Sequence, residues 1–152
     1  MKVRDAMSRD VESVPSSIAI KDVAMRMDRQ GIGYFPVCDR NRLVGIITDR
    51  DITCRLVADG RDPVHTKVGD IMSKAVAYCF DDDTVTGAIQ LMEQNRIRRI
   101  PVIDRHEHLV GVLSLPDVAR AAPSRLTAEL LEAVSREIPL SVTINPTAQI
   151  LK

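Results

Sequence analysis

Apolar and polar positions run through this chain in two matching sets. Laying residue 3 onwards over residue 68 onwards aligns Val3-Arg4-Asp5-Ala6-Met7-Ser8 with Val68-Gly69-Asp70-Ile71-Met72-Ser73, and Val11 with Val76. Ile20, Val23, Ala24 and Met27 then fall on Val85, Ala88, Ile89 and Met92. That i, i+3, i+4, i+7 spacing marks one face of an amphipathic helix in each copy. Pro36-Val37-Cys38-Asp39 matches Pro101-Val102-Ile103-Asp104; after a turn one residue longer in the second copy, Leu43-Val44-Gly45 matches Leu109-Val110-Gly111.

Each copy therefore reads as short helical turn, short strand, helix, strand, polar turn, strand, helix. Asp39-Arg40-Asn41-Arg42 and Asp104-Arg105-His106-Glu107-His108 interrupt apolar runs and predict hairpin turns. The last helix of the first copy is expected through Ile52, Leu56 and Val57, stopping near Asp59-Gly60. Beyond the second copy, Pro123-Ser124 predicts a helix start and Pro139 a stop. Leu126, Leu130, Val134 and Ile138 form its apolar stripe, which suits docking on the main core or, in the minority of cases, on a partner. Val142-Thr143-Ile144, before Asn145-Pro146, fits an extra strand or a loose tail. The organisation expected is repeat 1 over 1–60, linker 61–67, repeat 2 over 68–122, and a C-terminal helix and tail over 123–152.

Composition narrows the function classes. A chain of 152 residues suffices for one compact domain or two small halves sharing a core. With 21 basic and 21 acidic residues the formal net charge is zero, against the cationic surplus that nucleic-acid binding needs. There is no Trp; Tyr34, Tyr78, Phe35 and Phe80 are the aromatics, so the core must be aliphatic and base-stacking platforms are scarce. Cys38, Cys54 and Cys79 are too few and scattered for a disulfide framework or zinc ribbon, and Cys38 and Cys54, in apolar runs, read as buried thiols. Without an apolar signal region or a membrane-length run, a cytoplasmic location is expected.

Chemistry concentrates where each copy ends. Gly45-Ile46-Ile47-Thr48-Asp49-Arg50-Asp51 is answered by Gly111-Val112-Leu113-Ser114-Leu115-Pro116-Asp117. A hydroxyl residue at a helix start with an acid three residues on is a capping box, which satisfies free backbone N–H groups. The same geometry suits a nucleotide: N–H donors and the hydroxyl toward a phosphate, the carboxylate toward ribose hydroxyls. Glycine inside a strand often marks a close backbone approach. The two roles are compatible.

The duplicated order of Asp-x-Met-Ser, Pro-Val-x-Asp and Gly-h-h-[Thr/Ser]-x-x-Asp (h, aliphatic) resembles the cystathionine-β-synthase (CBS) domain family over about residues 1–121. The resemblance implies an α+β fold of two β-α-β-β-α repeats packed about a pseudo-two-fold axis. It also implies clefts that take adenosine-containing ligands such as AMP, ADP, ATP or S-adenosylmethionine. One site would be built from Thr48, Asp51, Val76, Ala77, Ile97, Arg98, Arg99 and Pro101. The other would use Ser114, Asp117, Val11, Glu12, Ile32, Gly33, Tyr34 and Pro36, with Val76-Ala77 and Val11-Glu12 on short strands. Arg96, Arg98 and Arg99 stand where repeat 1 has Gly31, Gly33 and Tyr34, so the sites are expected to be unequal. Guanidinium suits phosphate, although a surface arginine cluster is also an ordinary solvated face. Tyr34 could line a cleft, stack on a base, or simply pack.

The remaining polar clusters carry less. His106-Glu107-His108 has no organised third and fourth metal ligand nearby. Asp81-Asp82-Asp83 precedes a helix near Thr84, where acids complement the dipole. Ser13, Ser16 and Ser17 lack a paired base. The leading reading is a non-catalytic regulatory module that needs no cofactor, binds an adenosine-containing ligand, pairs with a second copy and is read by a regulated protein, with no nucleic acid or membrane partner. Ile52, Leu56, Val118 and Ala119 are expected to supply the dimer contact. The alternative is a structural or adaptor module in which the trios are capping boxes alone; an enzyme is a third reading, without a visible acid–base pair.

Overall fold

The computed structural model describes residues 1–136. The order of elements is α1 (Val3–Ala6), α2 (Ile20–Gln30), β1 (Tyr34–Asp39), β2 (Arg42–Thr48), α3 (Asp49–Asp51, continuing as a π-helical stretch over Ile52–Val57), α4 (Val68–Ile71), β3 (Cys79–Phe80), α5 (Val85–Asn95), β4 (Arg99–Ile103), β5 (Leu109–Ser114), α6 (Leu115–Ala121) and α7 (Ser124–Ser135). Helices and strands are mixed, as in an α+β protein.

The chain folds as two compact units that do not follow the linear repeats. Glu12–Val76 form the repeat-1 unit, and Met1–Val11 join the residues from Ala77 onward in the repeat-2 unit. The leading segment of each copy thus serves the other copy. In the repeat-1 unit, α4 supplies Val68 and Ile71 to a core of Val14, Ile20, Val23, Met27, Phe35 and Ile47. In the repeat-2 unit, α1 supplies Val3 and Met7 to a core that includes Cys79, Ile89, Met92, Ile100 and Leu113.

The helical faces are where the periodicity puts them: Ile20, Val23 and Met27 are buried on α2, as are Val85, Ala88, Ile89 and Met92 on α5. Burying such an aliphatic side chain removes about 1.5–3 kcal/mol of hydration cost. The β1–β2 hairpin turns at Arg40 and Asn41, whose φ values of 51° and 63° make a two-residue loop matched to the strand twist. Both hairpins shift register at the same place, between Val37 and Cys38 and between Val102 and Ile103.

Several sequence expectations are corrected. The short strands are not at Val11-Glu12 and Val76-Ala77. One lies at Cys79–Phe80, parallel to β4, and its counterpart shrinks to a parallel bridge from Val14 to Val37. The fully buried Val14 and Cys79 can join the sheet beside the core, while half-buried Val11 and exposed Glu12 cannot contribute such a face. Cys54 is exposed and Cys79 buried, its thiol pushed up to about 12 by burial. Leu56 and Val118 are buried within their own units, so they are not surface for a dimer. Thr84, rather than the acids before it, caps α5 by accepting from Gly87 N at 3.1 Å. Asp82 instead pairs with Arg105, whose guanidinium also lies 3.9 Å over the Phe80 ring.

On α7, Leu130 and Val134 are buried in the repeat-2 core and Leu126 packs against it. Ile138, Pro139 and the expected strand or tail from Leu140 lie outside the described residues. Among the described residues no helix is long and apolar enough to cross a membrane.

Candidate functional site

Each trio sits where a strand gives way to a helix, and each builds a capping box from its own residues. In the repeat-1 unit, Thr48 at the end of β2 has extended backbone (φ −122°, ψ 161°). Its Oγ1 accepts from Asp51 N at 3.1 Å, while Asp51 Oδ2 accepts from Thr48 N at 2.9 Å and Thr48 Oγ1 at 3.0 Å. In the repeat-2 unit, Asp117 Oδ2 accepts from Ser114 N at 2.8 Å and from Ser114 Oγ. One carboxylate oxygen of each Asp is thereby committed to the cap.

The other oxygen meets the exchanged leading segment. Ser73 is held beside β2 by Ser73 N to Ile46 O at 2.9 Å and Ile46 N to Ser73 O at 3.0 Å. Ser8 is held beside β5 by paired bonds of 3.0 Å with Val112. These approaches explain the strand glycines. A Cβ on Gly45 would lie 2.8 Å from Ser73 O, and one on Gly111 2.7 Å from Ser8 O. The close approach that the glycines signalled is to the protein's own backbone.

From there the two carboxylates differ. Asp51 Oδ1 lies 3.4 Å from Ser73 Oγ and 3.6 Å from Arg55 Nη1, whose stronger bond goes to Ile71 O at 2.9 Å. Asp117 Oδ1 accepts from Ser8 Oγ at 3.1 Å and pairs with Arg120 Nη2. A carboxylate offers about four acceptor positions. At Asp117 all four are filled; at Asp51 the outer two are occupied loosely. Exposure follows, at 8% for Asp51 and 2% for Asp117.

The segments entering β1 and β4 differ in charge. Gly33 O accepts from Asp49 N at 3.1 Å, and its equivalent Arg98 O accepts from Leu115 N at 2.9 Å. A Cβ on Gly33 would meet the Asp49 carboxylate, the movable end of an exposed side chain. Repeat 1 therefore presents a carboxylate where repeat 2 presents an exposed guanidinium. Among the described residues, the guanidinium groups of Arg96, Arg98 and Arg99 have no ion pair, as is also true of exposed Arg29, Arg50 and Arg61, while Arg26, Arg55, Arg105, Arg120, Arg125 and Arg136 have one. Arg96 also ends α5 with φ 51°, a left-handed conformation costing a non-glycine residue about 1 kcal/mol.

Of the first expected residue set, Thr48, Asp51 and buried Val76 belong to the repeat-1 unit. Ala77, Ile97, Arg98, Arg99 and Pro101 belong to the repeat-2 unit, Pro101 buried in β4. Of the second set, Ser114, Asp117 and Val11 are in the repeat-2 unit, and Glu12, Ile32, Gly33, Tyr34 and Pro36 in the repeat-1 unit. The Glu12 carboxylate is engaged by Arg26 at 3.0 Å and Gln30 at 2.5 Å. Sequence reasoning missed Ser8, Ser73, Arg55 and Arg120 as partners of the two Asp residues. The serines were in plain view in the repeated Asp-x-Met-Ser; the arginines lie three or four residues after each Asp. Among the described residues, no group of three or more His, Cys, Asp or Glu is placed to hold a metal ion.

Comparison with known proteins agrees with this construction. The model of the CBS domain matches residues 3–58 and again 68–124. Hypoxic response protein 1 of Mycobacterium tuberculosis is 31% identical over 139 residues, spanning 91% of this chain and 96% of that protein. Among solved structures, CBSX2 in complex with AMP superposes with a TM-score of 0.68 at 27% identity, covering 79% of this chain and 94% of that one. The CBS domain pair of protein MJ0100, solved with 5′-methylthioadenosine and S-adenosylmethionine, gives 0.67 at 28%, covering 79% and 98%. Two matched repeats, each ending in the same capped trio, make this chain a member of the CBS-domain family.

Proposed function

We propose that this chain is a non-catalytic regulatory module that binds an adenosine-containing ligand, AMP, ADP, ATP or S-adenosylmethionine, with Asp51 as the ribose acceptor. The observation that carries this reading is the second oxygen of Asp51. It is a carboxylate oxygen whose neighbours stand at 3.4 and 3.6 Å, while the first oxygen is fixed by the cap. Vicinal hydroxyls offer two short O–H donors, and charge-assisted bonds of that kind are stronger than the loose contacts they would replace. Thr48 holds the carboxylate in place and its hydroxyl faces the same end of β2. Arg98 and Arg99, exposed on the repeat-2 unit, are the phosphate contacts that the family resemblance implies, since weakly hydrated guanidinium binds phosphate through a planar fork. The AMP complex of CBSX2 and the S-adenosylmethionine complex of MJ0100 support this ligand class.

In this reading the module acts in the cytoplasm, needs no cofactor and pairs with a second copy of itself. Its ligand shifts a packing equilibrium that a regulated protein senses. One observation favours the structural reading at the other trio: every acceptor position of Asp117 is filled by the protein, so Ser114 and Asp117 act there chiefly as a cap.

Titration calorimetry with AMP tests the assignment. Asp51→Ala is expected to weaken binding by roughly tenfold or more, the loss of hydrogen bonds to a charged acceptor. Arg98→Ala with Arg99→Ala should weaken AMP more than adenosine. Wild-type affinity in the Asp51 variant, with its fold intact by circular dichroism, would sink the proposal.

A further inference from the structure

The two trios share the cap and differ in the cation placed against the outer carboxylate oxygen. Arg55 sits four residues after Asp51, on the π-helical stretch, and spends its short hydrogen bond on Ile71 O. Arg120 sits three residues after Asp117, on regular α6, and its Nη2 lies directly on Oδ1. The side chain of Arg120 is 69% exposed and that of Asp117 3% exposed, so the cation reaches in from solvent over a nearly buried anion.

We propose that Arg120 is a built-in competitor that sets the affinity of the second trio: its guanidinium occupies the acceptor position on Asp117 that ribose hydroxyls would need. This rests on the ribose role proposed for these Asp residues. A ligand hydroxyl arriving at Asp51 displaces a contact of 3.4–3.6 Å. At Asp117 it must displace a charged hydrogen bond as well as that of Ser8 Oγ at 3.1 Å. The chain therefore carries one ribose acceptor that is open and one that is occupied by its own side chain. Removing Arg120 leaves Asp117 with three donors, Ser114 N, Ser114 Oγ and Ser8 Oγ, so the cap and the fold survive.

The test isolates the second trio by working in Asp51→Ala protein and titrating AMP calorimetrically. Adding Arg120→Ala is expected to tighten AMP binding by roughly tenfold, the scale of one hydrogen bond to a charged group. Adding Arg120→Lys restores a cation and should recover most of the weakness. The gain should shrink when 2′-deoxy-AMP replaces AMP, because the competition is for the ribose hydroxyls; a merely structural effect would raise both alike. Unchanged or weaker AMP binding on adding Arg120→Ala overturns this inference alone, provided that wild type still binds more tightly than Asp51→Ala. If wild type and Asp51→Ala bind AMP equally, the ribose role itself falls and this inference with it.

Discussion

Asp51 and Asp117 end the same motif, cap the same kind of helix start and meet the same serine of an exchanged segment, yet only one is closed off. The difference lies in a side chain one residue out of register, Arg55 at +4 against Arg120 at +3. The segments before β1 and β4 diverge further: a carboxylate covers Gly33, while Arg98 stands exposed at its equivalent. A duplicated motif thus preserves its scaffold role in both copies, because capping depends on residues three apart. Ligand capacity depends on neighbours that the duplication left free to change.

The largest expected effect tests what the copies share. Gly45→Val and Gly111→Val should each destabilise the protein by about 3 kcal/mol or more, since the new side chain meets backbone that cannot yield locally. Urea melts giving similar losses confirm equivalent exchange of the leading segments; tolerance at one site breaks the symmetry. Next comes the contrast between the two acids. Asp117→Ala removes the acceptor of Ser114 N, Ser8 Oγ and Arg120, of which solvent takes up the last two, and should cost about 1–2 kcal/mol. Asp51→Ala, with looser outer contacts, should cost about 1 kcal/mol, the scale of a lost cap. Equal losses would mean that the outer oxygens are equivalent after all.

The smallest effect concerns the Pro-Val-x-Asp carboxylates. Asp39 is held below the usual carboxylate range by the Ser16 hydroxyl (2.6 Å) and then the Ser16 N–H (3.0 Å). Asp104 is lowered by its own turn, chiefly by the backbone N–H of His108 and then that of His106. A lowered folded-state pKa contributes stability that is complete above the unfolded value near 4 and fades as pH falls through the folded one. Asp39→Asn should therefore lower the melting temperature at pH 6 by a few degrees and have less effect near pH 3. An unchanged deficit at both pH values would show that the carboxylate charge contributes nothing there.

Much of this was readable from the chain because it is local. The amphipathic faces of α2 and α5, the hairpin turns and both capping boxes follow from residues within a few positions of each other. The short strands were misplaced by about three residues: Val11 and Val14 look alike in sequence and only the sheet distinguishes which one is buried, while Val76 and Cys79 are both buried and only the pairing with β4 sets them apart. Cys54 lies in an apolar run yet is exposed, since the first turns after β2 turn that side outward. Of the four residues expected at a dimer contact, Leu56 and Val118 lie in their own cores, while Ile52 is half-buried and Ala119 exposed.

The sequence by itself determined the duplication, the element order and the cap at each trio, because hydrophobic periodicity and i, i+3 hydrogen bonds are properties of a short stretch. Tertiary structure alone decided that each leading segment would serve the other copy, that glycine was needed where it passes, and that its serine would meet the outer oxygen of each Asp. Those outcomes join residues as distant as Ser8 and Asp117, and burial and approach between such residues are set by packing, which no local pattern records.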